Sequence, residues 1–178
     1  MTCIVAMVED GVVHMAGDKL GSNGYTKSIS ERSKVFINGD FLMGYTTSFR
    51  MGQLLEFSWN PPEKMGSMSD DKFFYFTVIN SIKSLFKEDG FSGKSEEGGT
   101  FLIGYKGKLY KVQSDYAVFE VTNYTACGCG EDEAETVLFT FEKVQLEDWS
   151  IEDKLALAIQ ASSHRKVGVS VEHDYLSL

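Results

Sequence analysis

An apolar hairpin at the extreme N-terminus constrains this chain more than any other feature. Residues 2–7 are an apolar, β-branched run, Glu9-Asp10-Gly11 is a turn, and residues 12–16 are apolar again before Gly17-Asp18. Half-exposed strands alternate apolar and polar residues. These arms do not, so they read as strands buried on both faces, within a sheet that another layer covers. The first residues are therefore expected to be held rigidly inside the fold.

Further along, residues 21–32 are polar and glycine-bearing, a loop. Lys34-Val35-Phe36-Ile37, the turn Asn38-Gly39 and Phe41-Leu42-Met43-Gly44-Tyr45 predict a second hairpin. Phe49, Leu54, Leu55 and Phe57 follow helical spacing, and that helix must end before Pro61-Pro62. Ser69-Asp70-Asp71 caps a helix over about 72–87, whose broad apolar stripe predicts packing against a sheet. After a charged, glycine-rich loop at 90–99, segments 100–105, 108–113, 117–121 and 124–127 predict a meander of short strands. Acidic residues after Gly130 start a helix running to about Glu142. Ser150 with Asp153 resembles a capping box for another, and residues 167–171 read as a final strand. Strand runs alternating with helix pairs suggest an α+β fold, two sheets face to face with helices outside, a four-layer αββα sandwich.

The 178 residues, 43% hydrophobic and 13% aromatic, suit one domain over 1–178 with a sizeable core. A formal charge of -9 excludes non-specific binding to nucleic acid or to an anionic membrane, both of which need a basic face. No signal-peptide pattern opens the chain and no apolar run reaches the roughly 18 residues that span a bilayer, so a cytoplasmic protein is expected. Cys3, Cys127 and Cys129 do not form a disulfide framework. They lack the second Cys/His pair a zinc site needs, and His14, His164 and His173 are scattered. The Gly98-Gly99 and Gly128/Gly130 pairs lack the spacing of a dinucleotide fingerprint. No metal and no cofactor is expected.

Thr2-Cys3-Ile4-Val5, Gly11-Val12-Val13 and Ala16-Gly17-Asp18 resemble the opening of proteasome β subunits and of the HslV-type peptidase, the N-terminal nucleophile hydrolases. In that family the mature chain begins with a threonine, an aspartate follows a hairpin, and a lysine comes on the next strand. Here these fall on Thr2, Asp18 and Lys34, at the family's intervals. Phe41 to Tyr45 resembles the strand-end segment beside the family's substrate cleft, and Ala126-Cys127-Gly128-Cys129-Gly130 resembles its Gly-Ser-Gly turn. The resemblance covers the whole length and weakens toward the C-terminus. It implies a threonine peptidase: Met1 is removed, and the freed amine of Thr2 serves as base for the Thr2 hydroxyl. Lys34 then favours the alkoxide, and Asp18 orients Lys34. It also implies an oxyanion donor in the Thr46 N–H, an open pocket over Gly44, and Tyr45 and Thr47 along the cleft. The implied partners are an unfolded protein or peptide substrate, further copies of the chain in a ring, and an ATPase unfoldase.

The sequence departs from the family at several places. Cys129 stands where a serine is usual near the terminal amine, and a thiol is the weaker donor and acceptor. Thr46-Thr47 replace small glycines. The later aspartate and serine of the family have only Ser163 as a stand-in within Ser162-Ser163-His164-Arg165-Lys166. A retained Met1 would make the needed amine an amide without basicity. Two alternatives therefore stay open: a catalytically silent, proteasome-like structural or binding subunit, and an amidase acting on a small amide. Cys3 reads as a small buried hydrophobe.

Overall fold

The computed structural model describes residues 2–91, 99–144 and 148–178. Strands β1 (Cys3–Glu9) and β2 (Val12–Asp18) form the expected hairpin. Its turn is Asp10-Gly11, both with positive φ (50° and 76°), the pairing a two-residue turn between right-twisted strands requires. Within loop 21–32 lies a small ribbon, β3 (Leu20–Ser22) with β4 (Lys27–Ile29). Strands β5 (Val35–Asn38) and β6 (Phe41–Tyr45) make the second hairpin. Helix α1 (Phe49–Phe57) follows, then α2 (Asp70–Lys72), a π-helical turn (Phe73–Val78) and α3 (Ile79–Glu88) in one continuous helical run. Then come β7 (Phe101–Tyr105), β8 (Lys108–Val112), β9 (Val118–Val121), β10 (Tyr124–Gly128), α4 (Glu131–Val144), α5 (Ile151–Arg165) and β11 (His173–Ser177).

Two antiparallel sheets carry the fold, one ordered β10-β1-β2-β11 and the other β5-β6-β7-β8-β9. Three apolar clusters show how they pack. Ile4, Ala6, Val13, Met15, Val35, Leu42 and Leu102 meet between the sheets. Cys3, Val5 and Ala16, on the other face of the first sheet, pack against Leu138 of α4 and Leu155, Ala158 and Ile159 of α5. Met43, Phe101 and Ile103 of the second sheet pack against Leu54, Phe74, Ile82 and Phe86 of the other helices. The hairpin arms are apolar without alternation because β1 is buried on both faces, as the sequence predicts. No helix among the described residues is long and apolar enough to cross a membrane.

Two strand expectations are corrected. The meander runs β5 to β9, and the fourth expected segment, β10, leaves it to pair with β1 in the other sheet. The last strand is His173–Ser177, not 167–171. The later segment pairs with β2, while Val169 lies in the core beside α5 and Ser170 bonds Asp18. An apolar run marks burial, and burial does not require a ladder. Of the loop expected at 90–99, residues 92–98 lie outside the described residues, as does Met1.

Candidate active site

Register brings the three spaced residues together. In the β1–β2 ladder Ile4 pairs with Gly17, which sets the start of β1 beside Asp18 at the end of β2. Lys34 precedes β5 on the facing sheet and reaches back between the sheets. Its Nζ donates to Thr2 Oγ1 at 3.1 Å, to Asp18 Oδ1 at 3.0 Å and to the Leu20 carbonyl at 2.8 Å. Three donors with three acceptors satisfy an ammonium fully. Thr2, Asp18 and Lys34 are all buried, Lys34 with 1% of its surface exposed.

Asp18 is the hub of this corner. Its Oδ1 also accepts the Cys3 N–H (2.8 Å), and its Oδ2 accepts the N–H groups of Leu20 (3.0 Å) and Ser170 (3.4 Å). A buried carboxylate requires such a set of donors, because its desolvation otherwise costs several kcal/mol. Burial lowers the Lys34 pKa below its ordinary value, and Asp18 opposes that shift by charge and hydrogen bond. The Phe49 ring lies 5.9 Å from the ammonium.

The turn after β10 closes over Thr2. Cys3 pairs with Gly128 in the β1–β10 ladder, and Gly130 N–H donates to the Thr2 carbonyl at 3.4 Å. Gly128 has φ +100°, and a Cβ there would lie 2.2 Å from the Thr2 carbonyl oxygen, so only glycine fits. Cys129 is partly exposed between these two glycines. Burial pushes the Cys3 thiol up to about 12 and raises Cys127 well above its usual range, which makes both poor nucleophiles.

The cleft-side residues differ from expectation. A Cβ at Gly44 would meet Met15 Sδ at 2.5 Å and Ile4 Cγ2 at 2.6 Å, so Gly44 faces the packed space between the sheets and opens no pocket. The Thr46 N–H is donated to the Thr100 carbonyl at 3.2 Å, and its hydroxyl to the same oxygen at 2.8 Å, so that N–H is not directed at a reacting group. Tyr45 is buried, packed on Gly52 and near the rings of Phe36 and Phe49, and burial pushes its hydroxyl up to about 12. Thr47 is exposed with φ +68°, and its hydroxyl is 3.2 Å from that of Thr46. With Thr2, Lys34, Ser48 and Phe49 these three residues line a cavity of about 70 Å³, well below the roughly 300–1,000 Å³ of ordinary ligand pockets.

Ser163 is not near this site: it is partly exposed and bonds the Gln160 carbonyl within its own helix. Two serines take that ground instead. Ser170 supplies its N–H to Asp18, and Ser162, fully buried, donates toward the Gly130 carbonyl at 2.8 Å. A signal for Ser162 exists in the sequence: it continues the apolar face of α5 through Leu155, Ala158 and Ile159, where a hydroxyl must find a specific acceptor. Among the described residues no group of His, Cys, Asp and Glu side chains is arranged to hold a metal ion.

No protein-family model matches the sequence, and no curated protein does. Solved structures do match. BPH of Thiobacillus denitrificans, in complex with epoxomicin, superposes with a TM-score of 0.83 at 16% identity, covering 99% of this chain and 97% of that one. HslV from Trypanosoma brucei gives a TM-score of 0.72 at 15% identity over 99% and 98% of the two chains. Anbu from Yersinia bercovieri, described as an ancestral β-subunit, gives 0.65 at 12% identity over 98% and 80%. With nearly all of this chain covered in each case, and nearly all of the BPH and HslV chains, this chain has the proteasome/HslV-type fold.

Proposed function

We propose that the chain is a threonine peptidase whose nucleophile is the Thr2 hydroxyl, released for work by removal of Met1. The observation that carries this reading is the Lys34 ammonium 3.1 Å from Thr2 Oγ1 and 3.0 Å from Asp18, in a buried corner. The freed Thr2 amine takes the hydroxyl proton as Oγ1 attacks the peptide carbonyl, and the protonated amine then gives that proton to the leaving nitrogen. Water, activated by the same amine, hydrolyses the resulting ester. Lys34 holds positive charge beside the developing alkoxide, and Asp18 keeps Lys34 in place. By the family resemblance Cys129 takes the place of the serine that stands near this amine. The oxyanion donor moves from Thr46 to the N–H groups of Thr47 and Phe49, two residues that line the cavity, because the Ser48 N–H between them donates to the Thr46 carbonyl. Tyr45 and Thr47 wall the cleft.

The same reading takes residues 1–178 as one domain with four layers, α-β-β-α, supported by the three apolar clusters. It includes assembly with further copies into a ring, an ATPase unfoldase that feeds unfolded protein, and a cytoplasmic setting, supported by the likeness to HslV and BPH. The small cavity and the engaged Thr46 N–H favour a second reading, a silent proteasome-like subunit. Intact mass and a peptide α′,β′-epoxyketone separate the two, because that warhead needs a free amine and a hydroxyl on one residue. The peptidase has lost one methionine, forms a one-to-one adduct and cleaves a fluorogenic peptide series. Thr2→Ala abolishes adduct and turnover, a loss of at least about 10³-fold. Retained Met1 with no adduct would establish the silent reading.

A further inference from the structure

The Gly130 carbonyl is a junction that the mechanism above leaves unused. It accepts the Ala134 N–H at 3.1 Å as the first hydrogen bond of α4, the Ser162 hydroxyl at 2.8 Å from α5, and the Cys3 thiol at 3.7 Å from β1. The N–H of the same residue donates to the Thr2 carbonyl at 3.4 Å. Ser162 thus ties α5 to the Gly128–Gly130 turn, and that turn holds both the backbone of Thr2 and the side chain of Cys129. The packing leaves no slack: a Cβ on Gly130 would lie 2.8 Å from the Cβ atoms of both Cys3 and Ser162. Ser162 is 0% exposed, touches neither the Thr2 hydroxyl nor the cavity, and its hydroxyl has one further acceptor, the Ala158 carbonyl at 3.0 Å.

We infer that Ser162 is a positioning residue, acting through Gly130 to fix the Thr2 backbone and Cys129 for the reaction; the inference rests on the peptidase reading. A purely structural serine would matter through stability. Here the local bonds argue otherwise, because Gly130 keeps the Ala134 N–H when the Ser162 hydroxyl is removed, so no buried carbonyl is orphaned. What is lost is the lateral tie on the turn, and misplacement by a fraction of an ångström at a reacting group is costly in rate.

The test uses the full chain and three readouts: kcat and KM on a cleaved peptide, thermal midpoint, and the rate at which a small neutral maleimide alkylates Cys129. Cys3 and Cys127 are buried with raised pKa and stay silent in the folded protein. Ser162→Ala is expected to lower kcat about tenfold with KM within about twofold, to speed Cys129 alkylation severalfold, and to shift the midpoint by only a few degrees. Ser162→Cys, which keeps a weak donor, falls between Ser162→Ala and wild type. Ser163→Ala, outside the site, behaves as wild type. Wild-type kcat and alkylation rate in Ser162→Ala overturn the inference, and so does a loss that tracks the midpoint through both Ser162 variants, or failure of both to fold. If the wild-type chain forms no epoxyketone adduct, the peptidase reading fails by itself. The alkylation rates then decide whether Ser162 holds the turn.

Discussion

The Thr2–Asp18–Lys34 corner and the wall formed by residues 44–47 meet at one sheet edge, yet the two are specified differently. Lys34 and Tyr45 are joined there, Tyr45 N–H donating to the Lys34 carbonyl at 3.1 Å. In the corner every group is a buried polar atom whose partner can be named, and chemistry dictates the contact: a lysine and an aspartate can be buried here only together. On the wall the decisive residue is a glycine. A glycine says that something approaches closely, without saying what, and at Gly44 the approaching groups are Met15 and Ile4 of the facing sheet instead of a substrate. Spacing of charged residues therefore carries more information about a site than spacing of small ones.

Removing one member of the corner should have the largest effect of those that test this contrast. Asp18→Ala leaves the Lys34 ammonium buried with only neutral partners, and breaking a buried pair from one side costs about 3–5 kcal/mol. Urea unfolding of the variant is the measurement. A loss below about 1 kcal/mol, the size of an exposed pair, would place the corner on the same footing as the wall. On the wall, Gly44→Ala is expected to cost about 1–3 kcal/mol by overpacking against Met15 and Ile4. Peptide preference should stay unchanged, since no substrate side chain sits there. A shift in preference at the cleaved bond without a stability loss would restore Gly44 to the cleft.

Legibility follows the same division. The hairpin β1–β2 was readable from its unbroken apolar arms and Asp-Gly turn, and the spacing of Thr2, Asp18 and Lys34 anticipated a cluster that the ladder register assembles. The Cys129 turn was readable from its flanking glycines, which the Thr2 carbonyl requires at Gly128. Strand partners were not readable. β10 continues the meander in sequence but its Ala126 side chain belongs against α4 and α5, and only the sheet as a whole decides that. Nor was the destination of the Thr46 N–H, which depends on Thr100, 54 residues away. Ser162 and Ser163, adjacent, look alike in the sequence. Helical phase separates them, since Ser162 shares the inward face with Leu155 and Ile159 while Ser163 does not.

The smallest expected effect is also the one that ties the corner to catalysis most directly. Burial lowers the Lys34 pKa, with Asp18 pulling the other way, so its folded pKa lies below its unfolded value. Between those two values the unfolded chain binds a proton that the folded chain does not. Stability therefore rises with pH through that window and is complete above the unfolded value of roughly 10.4. Activity runs the other way if the ammonium favours the alkoxide: kcat/KM should fall as Lys34 loses its proton, reaching half its plateau at a pH below that of an ordinary lysine. The two slopes have opposite sign in one pH window, a signature that general alkaline unfolding does not produce. Urea midpoints for wild type and Lys34→Met, with wild-type kcat/KM over the same pH series, measure both. The stability rise should be present in wild type and absent in Lys34→Met. A rate that holds its plateau beyond the ordinary lysine range would mean that the Lys34 charge is not what Thr2 uses, leaving the corner as architecture alone.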